Sequence, residues 1–211
     1  NNRVFNMQSE KIVFATGGYG GKEINELKNY WLPIKTFIGV TKPMGDELQS
    51  VLKKPLGFSD NRRAGNYYRV LPGNRLSWGR GISAVANYSR SSLKKVISKE
   101  ISYFFPELKN IEIDYVWSGN MAYASHYMPY VGATRIGHED KNVFTLMGFG
   151  GHGMNTAPGS AMVLADFILG KSSKHEVFNR FRRKWNGGLI GPYIAEIKYK
   201  YLQMKDYFDV A

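Results

Sequence analysis

Residues 142–170 read NVFTLMGFGGHGMNTAPGSAMVLADFILG, and this stretch decides the fold. It opens with a short apolar run, NVFTLMGF, which is typical of a buried strand. The glycine-rich sequence GFGGHG comes next, and small or apolar residues then recur at helical spacing. Those residues are Ala157, Ala161, Leu164 and Ile168. We predict a strand, a glycine loop and a helix over about residues 155–169, which Gly170 ends.

The glycine loop is the strongest chemical signal in the sequence. Gly148, Gly150, Gly151 and Gly153 leave the backbone uncovered, and the free N–H groups of a helix start follow them directly. Such a loop suits an anion or an electron-rich carbonyl, and the pyrimidine ring of a reduced flavin would fit it. The spacing alone is equally compatible with an ordinary glycine-rich turn. His152 lies inside the loop, although a lone histidine is more often structural than catalytic.

The first forty residues predict two strands. Lys11–Ala15 reads KIVFA, a short apolar run that suits a buried strand, and TGGYGG follows it. TGGYGG does not have the GxGxxG spacing, because Thr16 precedes its first glycine pair. A short polar helix is predicted over roughly residues 22–30, Pro33 interrupts it, and residues 34–41 read as the second strand.

The middle of the chain predicts a hairpin, a helix and another strand. Residues 67–71 and 75–78 flank a Pro-Gly-Asn turn, as expected for a β-hairpin. Ser91 or Ser92 is expected to cap the next helix. The buried face of that helix is predicted to consist of Leu93, Ile97, Ile101 and Phe104. The apolar face of the following half-buried strand is predicted to consist of Ile111, Ile113, Tyr115 and Trp117.

A last helix is predicted from Pro192 to about residue 208. Its apolar stripe consists of Ile194, Ile197, Tyr201, Met204 and Phe208. Strands and helices interleave along the chain without a regular βαβ rhythm. The sequence therefore predicts a mixed α/β (α+β) fold with a large sheet that is mixed or antiparallel.

Composition narrows the possible functions. The chain has 211 residues, of which 43% are hydrophobic, and it has no cysteine. It therefore offers no disulfide and no thiolate metal site, which fits a cytoplasmic location. The four histidines show no metal-ligand spacing, so no metal is predicted. No apolar run is long enough to cross a bilayer, and no signal peptide is visible.

The net charge of +12 has three interpretations. The simplest is a solvated basic surface. Nucleic-acid binding would need basic residues clustered on one face, and the densest basic run, Arg180–Lys184, is short. We therefore predict no nucleic-acid partner. The third interpretation is that the charge complements an acidic partner chain or an anionic cofactor.

Six segments resemble, in order, the carboxy-terminal half of the FAD-dependent oxidoreductases of the D-amino-acid-oxidase type. These flavoproteins include glycine and sarcosine oxidases and γ-glutamylputrescine oxidoreductase. The segments are KIVFATGGYGG, WLPIKTFIGVTKPM, YYRVLPGNRLSWGRG, WSGNMAYASHYMPYVG, the stretch at residues 142–170, and the tail FNRFRRKWNGGLIGPYIAEIKYKYLQMKDYF. The tail resembles the γ-glutamylputrescine oxidoreductase branch. Together the segments cover nearly the whole chain.

The resemblance implies a domain division and a set of site residues. Residues 1–30 and 119–175 would form part of the FAD-binding domain, residues 31–118 the substrate-binding sheet domain, and residues 176–211 a helical extension. The implied cofactor contacts are Ala15, Thr16, Gly17, Gly148, Phe149, Gly150, Gly151, His152, Gly153 and Met154. The implied substrate contacts are Tyr67, Tyr68, Arg69, Trp117 and Met121. Side chains at Gly151 and Gly153 would fill space for the flavin ring, and both glycines are expected to need a positive φ.

Two departures from the family pattern change what is expected for cofactor binding and for the substrate. Members open with a strand–GxGxxG–helix unit that binds the dinucleotide, and the start of this chain has no counterpart, as if the first half were absent. Amino-acid-oxidising members place an arginine just after the W-x-G motif, whereas Trp117-Ser118-Gly119 is followed here by Asn120 and Met121. Met121 cannot form a bidentate pair with a carboxylate, which favours an amine substrate, although Arg69 or Arg75 could supply a cation.

Two functions follow from this resemblance. In the first, the chain and an amino-terminal half that carries GxGxxG bind FAD without a covalent bond and oxidise a C–N bond of an amine or amino acid. In the second, the chain is a non-catalytic remnant or an assembly subunit that does not bind FAD by itself. The absent opening motif supports the second function, because most adenosine and pyrophosphate contacts would be lost.

Overall fold

The computed structural model describes residues 4–20, 27, 29–62, 65–134, 142–181 and 183–210. The strands in these ranges are β1 (Ile12–Phe14), β2 (Trp31–Thr41), β3 (Gly57–Ser59), β4 (Tyr67–Leu71), β5 (Arg75–Ser83), β6 (Ile113–Ala124), β7 (Tyr130–Ala133) and β8 (Val143–Met147). The α-helices are α1 (Gly45–Val51), α2 (Arg90–Phe104), α3 (Gly153–Ile168), α4 (Glu176–Asn179) and α5 (Gly191–Val210). The predicted mixed α/β class is confirmed. The helix predicted over residues 22–30 lies largely outside the described residues.

The chain divides into two compact units. The first unit is Asn1–Pro33 with Met121–Leu189, and the second is Ile34–Asn120 with Ile190–Ala211. The segment predicted as a single extension, residues 176–211, is thus shared between the two units at Leu189 and Ile190. The strands form a three-stranded sheet in the order β1-β8-β7 and a five-stranded sheet in the order β3-β4-β5-β2-β6.

In the first unit, α3 covers one face of the three-stranded sheet. β8 pairs in parallel with β1 and antiparallel with β7. Leu164 of α3 packs with Val131 and Phe144 in one buried cluster. The helix buries Ser160 and Leu164, whereas Ala161 is exposed, so the predicted face is displaced by one residue.

The strand β1 is more exposed than the sequence predicted. Ile12 and Val13 keep 48% and 43% of their surface accessible. β1 lies at one edge of the three-stranded sheet, where among the described strands only β8 pairs with it. An apolar run therefore identified a strand here but did not reveal whether that strand is central.

The end of α3 confirms the role predicted for Gly170. This residue has φ +67°, which favours glycine, and its N–H donates to the carbonyl of Phe167 at 3.0 Å. The N–H of Lys171 donates to the carbonyl of Asp166 at 2.8 Å. These two bonds form a Schellman motif, which satisfies carbonyls that the end of a helix leaves without partners.

In the second unit, α2 packs on the five-stranded sheet. The hairpin is confirmed, since β4 pairs with β5 from Leu71–Arg75 to Tyr67–Gly79. Leu93, Ile97 and Ile101 of α2 are buried against the sheet, but Phe104 is 37% exposed and the neighbouring Phe105 packs on the core instead. The predicted cap was wrong: Ser89, whose backbone is extended, accepts a 3.1 Å hydrogen bond from the N–H of Ser92.

The strand β6 follows its predicted alternation only at the start. Ile111 and Ile113 are buried, whereas Tyr115 and Trp117 are 59% and 48% exposed. Val116 packs against the core in their place. β6 lies at the edge of the five-stranded sheet, and the guanidinium carbon of Arg75 lies 5.8 Å from the ring centroid of Tyr115.

The last helix packs by the opposite face from the predicted one. The five stripe residues, Ile194, Ile197, Tyr201, Met204 and Phe208, are each more than half exposed. The buried face instead contains Tyr199 and Asp206. Glu196 accepts hydrogen bonds from the hydroxyl of Ser83 at 2.7 Å and from the N–H of Ala84 at 2.9 Å. The apolar core under the sheet is already closed by α2, so hydrogen bonding at the end of β5 orients α5.

None of the helices in the described ranges is long and apolar enough to span a lipid bilayer.

Gly39 of β2 sits directly under α2. A Cβ on Gly39 would lie 2.8 Å from Cδ1 and 3.1 Å from Cγ2 of Ile97. Real Cβ atoms almost never approach another atom so closely, so glycine here lets the helix approach the sheet. Gly57 of β3, by contrast, has no atom within 4 Å of an added Cβ.

We expect Gly39→Ala to lower the free energy of unfolding by about 1–3 kcal/mol, as for other overpacked cores. Gly57→Ala is the matched control and should change it by less than about 0.5 kcal/mol. Ile97→Val in the Gly39→Ala chain should recover part of the loss, because it removes the closest carbon. Urea unfolding of the four chains measures these differences. Equal stability of the Gly39→Ala and Gly57→Ala chains would contradict the assigned contact.

Candidate functional site

Two loops of the first unit leave the sheet at the same edge, which is the one formed by the carboxyl ends of β1 and β8. β1 and β8 run parallel, with Phe14 opposite Thr145, so the loops that follow them start side by side. The hydroxyl oxygen of Thr16 lies 3.6 Å from the sulfur of Met147 where the loops begin. In open sheets, ligands bind outside the carboxyl ends of parallel strands. This edge is therefore the candidate site of the first unit.

The loop after β8 is a tight turn that requires glycine. The N–H of His152 donates to the carbonyl of Phe149 at 3.0 Å. The two residues between them, Gly150 and Gly151, have φ of +56° and +88°. Two consecutive positive φ values are typical of a type I′ turn, which residues with a Cβ rarely adopt. Three of the four glycines thus have a backbone reason, since Gly148 also has a positive φ of +87°.

Gly153 differs from the other three glycines. It was expected to need a positive φ, but it is the first residue of α3 and is not among the residues with positive φ. A Cβ there would lie 3.6 Å from Cβ of Phe149, which is an ordinary contact. Neither the backbone nor the described neighbours therefore require glycine at this position. A ligand that occupies the space in front of the loop would require it.

The surroundings of Gly151 include two side chains of β6. A Cβ on Gly151 would lie 3.0 Å from the sulfur of Met121 and 3.2 Å from the hydroxyl oxygen of Tyr123. Met121, predicted as a substrate contact, thus lies against the glycine loop. Tyr123 was not predicted. The sequence did contain a signal for it: Tyr123 stands two residues after Met121, and residues two apart in a strand point to the same side of the sheet.

The first turn of α3 presents backbone groups to the loop. The helix has no side-chain cap at His152, and the carbonyl of His152 accepts the N–H of Thr156 at 3.2 Å. The N–H groups of residues 153–155, by helix geometry, have no acceptor within α3. The ring Nδ1 of His152 lies 3.2 Å from the carbonyl oxygen of Gly150, which ties that ring to the loop. Met154 is 95% exposed.

The loop after β1 folds back on Thr16. The N–H of Tyr19 donates to the carbonyl of Thr16 at 3.3 Å and closes a short 3₁₀ turn over Gly17–Tyr19. Gly17 has φ +61° and open space around its Cα, while a Cβ on Gly20 would lie 2.1 Å from the hydroxyl oxygen of Thr16. Ala15, Thr16 and Gly17 therefore border the same edge as the glycine loop.

In the second unit, Tyr67 and Tyr68 lie on opposite faces of the sheet. Tyr68 stacks between Phe58 and Trp78, with ring centroids 5.3 Å and 4.8 Å apart. Burial, together with the negative charge of Asp60, raises the pKa of the Tyr68 hydroxyl above its ordinary value. Tyr68 thus packs against the core of the second unit.

Tyr67 covers the other face of the sheet. A Cβ on Gly79, opposite Tyr67 on β5, would lie 2.1 Å from its ring, so that glycine leaves room for the ring. The hydroxyl groups of Tyr67 and Thr36 lie 3.0 Å apart. Tyr67 and Trp117 are both more than 40% exposed, so both remain accessible to a ligand within the second unit.

The two arginines considered as substrate cations have different surroundings. Arg75 donates to a carboxylate oxygen of Asp114 at 2.7 Å and to the carbonyl of Thr41 at 3.0 Å. The positive charge of Arg75 is therefore paired with the carboxylate of Asp114 within the five-stranded sheet. Arg69 is exposed and borders a shallow cavity together with Lys53 and Lys54.

The glycines at positions 148, 150 and 153 themselves have the spacing G-x-G-x-x-G between a strand and a helix. A dinucleotide fingerprint also needs a second parallel strand after the helix, with an acidic residue at its end. In the described residues after α3, only the helices α4 and α5 follow. The spacing therefore does not replace the dinucleotide unit that the family places at its start.

Comparison with known proteins identifies the family of the chain. Residues 2–167 match the family described as "DAO: FAD dependent oxidoreductase". The chain is 26% identical over 205 residues to "Probable oxidoreductase OrdL" of Haemophilus influenzae, covering 94% of this chain and 45% of that protein. It is 25% identical over 169 residues to "Gamma-glutamylputrescine oxidoreductase" of Escherichia coli, covering 79% of this chain and 38% of that protein.

Solved structures share the fold. Glycine oxidase from Bacillus cereus superposes with a TM-score of 0.61 at 20% identity, over 81% of this chain and 45% of that one. A fructosyl peptide oxidase superposes with a TM-score of 0.66 at 12% identity, over 87% and 47%. The chain thus spans less than half the length of each of these four relatives. On the family match, the chain belongs to the FAD-dependent oxidoreductases of the DAO family.

Proposed function

We propose that this chain is the carboxy-terminal part of a flavoenzyme that oxidises a C–N bond of an amine or amino acid. The observation that carries the proposal is the turn at residues 148–153, at the carboxyl edge of a parallel strand pair and at the start of α3. Family membership supplies the cofactor class. The chain covers less than half the length of these relatives, and this supports a second, amino-terminal part as its partner.

The turn suits the electron-rich edge of a flavin ring. Gly150 and Gly151 bring the backbone to the surface without side chains, and Gly153 has no internal reason to be glycine. The N–H groups at the start of α3 and its positive dipole end favour negative charge. We assign Ala15, Thr16 and Gly17 to the dinucleotide side of the same edge. Phe149, His152 and Met154 border the turn, and His152 contributes chiefly through its backbone.

When bound, FAD would accept a hydride from the carbon next to a neutral amine. The resulting iminium ion would lose a proton to give an imine, which water hydrolyses. The residues of this chain would orient the reactants and exclude water. Tyr67, Trp117 and Met121 are our candidates for the substrate side, and Arg69 is the remaining candidate cation. To Tyr68 we assign a packing role, because its ring stacks on Trp78 and packs against the core. Met121 at the arginine position favours an amine over an amino acid.

The alternative is a subunit that does not bind FAD by itself. It is favoured by one observation: in the described residues, no strand with an acidic end follows α3. Without such a unit or an amino-terminal partner, the adenosine and pyrophosphate groups would have few contacts, and affinity would be low.

We expect the purified chain to be colourless or to bind FAD weakly, because most adenosine and pyrophosphate contacts would come from the amino-terminal half. After incubation with FAD and removal of the unbound cofactor by gel filtration, flavin absorption should stay with the protein only when the amino-terminal half is present. Visible spectra of the chain, of the half, and of the mixture measure this. A yellow preparation with one flavin per chain and no partner would contradict the two-part assignment.

We expect the flavin of the reconstituted protein to be released by acid precipitation, since the chain has no cysteine to form a thioether. The measurement is flavin fluorescence in the supernatant and in the pellet. Flavin that stays in the pellet would show a covalent link, and peptide mapping would then locate it on histidine or tyrosine.

Substitutions at the glycine turn test its contact with the ring. Gly151→Val should abolish flavin binding, because it combines a strained φ with contacts to Met121 and Tyr123. Gly153→Ala is the sharper test, since the fold tolerates a methyl group there, and we expect at least a tenfold loss of flavin affinity. His152→Ala should be milder.

Gly159→Ala, inside α3 with no atom near the added methyl group, is the matched control and should leave flavin affinity unchanged. Flavin fluorescence quenching measures affinity, and circular dichroism reports folding. Wild-type affinity in both Gly151→Val and Gly153→Ala would remove the turn from the site.

A further inference from the structure

A second cavity of the first unit lies away from the glycine turn. It has a volume of about 330 Å³ and lies between the β7–β8 pair and the segment around α4. Its walls include Tyr130, Gly132, Thr145, Phe178, Asn179 and Arg183. Neither the glycine turn nor the loop after β1 contributes to these walls, so the proposed flavin site does not account for this cavity.

Arg183 brings a positive charge to this cavity, and no carboxylate of the described residues pairs with it. Its Nη2 donates to the hydroxyl oxygen of Thr134 at 2.8 Å. Its guanidinium carbon lies 5.6 Å from the ring centroid of Tyr30. Among the described residues, no carboxylate forms an ion pair with it. A guanidinium has five N–H donors, so most of its hydrogen-bonding capacity is not used by those residues.

The charge is partly withdrawn from water. Burial lowers the pKa of the Arg183 guanidinium, although the group stays protonated at neutral pH. Partly buried charges are costly unless an opposite charge or hydrogen-bond acceptors compensate them. A protein that keeps such a cation at the wall of a cavity gains most from an anionic occupant.

Neutral side chains that can form hydrogen bonds lie around Arg183 and the cavity. Thr134 and Thr145 are completely or almost completely buried, and their hydroxyl groups are hydrogen-bonded to each other. The Arg183 bond to Thr134 therefore connects to Thr145, which lines the cavity. The side-chain amide of Asn179 lies at the exposed rim and has no hydrogen bond in the part of the chain that the structure describes.

We propose that this cavity binds an oxyanion, a carboxylate or a phosphate group, with Arg183 as the counter-charge and Thr145 and Asn179 as neutral hydrogen-bonding partners. A planar guanidinium can donate two parallel hydrogen bonds to either kind of anion. The aromatic walls at Tyr130 and Phe178 leave room for a small apolar body next to the anionic group. This site is independent of the flavin proposal.

Calorimetric titration of the full 211-residue chain tests the proposal. The probes are sodium butyrate, its neutral analogue butyramide, and inorganic phosphate at constant ionic strength. We expect butyrate or phosphate to bind and butyramide not to bind. Binding of butyrate alone identifies a carboxylate site, and binding of phosphate identifies a phosphate site. If neither anion binds, or if butyramide binds as well as butyrate, the proposal is wrong.

Variants locate the binding. Arg183→Gln should weaken the affinity at least tenfold, whereas Arg183→Lys, which keeps the charge, should lose less. Arg180→Gln is the matched control, because it removes the same charge from an exposed neighbour outside the cavity. The affinity of this variant for the anion should stay at the wild-type value. Circular dichroism checks folding. Equal losses in Arg183→Gln and Arg180→Gln would show general attraction to a basic surface and would overturn the assignment.

Discussion

The parallel pairing of β1 with β8 is the constraint on which the first unit depends. It joins segments that are 131 residues apart at Thr16 and Met147. Closing so long a stretch costs conformational entropy, although the cost grows only slowly with length. In return, both loops start at one edge of the sheet, and the start of α3 faces that edge. The shape of the candidate site follows from this pairing more than from any single side chain.

The glycines of the turn separate into those that the fold needs and one that it does not. Gly148, Gly150 and Gly151 have positive φ, so a glycine-rich turn would be required here even without a ligand. Gly153 is helical and has room for a methyl group. The distinction matters because a glycine pattern in a sequence combines backbone requirements with requirements of a ligand. Only the residue without a backbone requirement points specifically to the ligand.

Polar contacts decide the orientation of α5 in the second unit. The Glu196 carboxylate accepts hydrogen bonds from Ser83 and Ala84 at the end of β5. The buried apolar cluster under the sheet is already covered by α2, through Leu93, Ile97 and Ile101. A helix that arrives at a closed core gains more from satisfying polar groups than from burying its stripe. The usual rule that the apolar face points inward therefore fails for α5.

The sequence by itself determined the class of the fold, the hairpin, the strand–turn–helix at the glycines, the end of α3 at Gly170 and, through resemblance, the family. These features depend on neighbouring residues, whose periodicity and turn chemistry are visible in one dimension. Tertiary structure alone decided the exposure of β1, the cap at Ser89, the core position of Tyr68, the outward stripe of α5 and the contact between Tyr123 and Gly151. Each of these depends on which surface a distant segment covers, and that depends on packing between residues far apart in the chain.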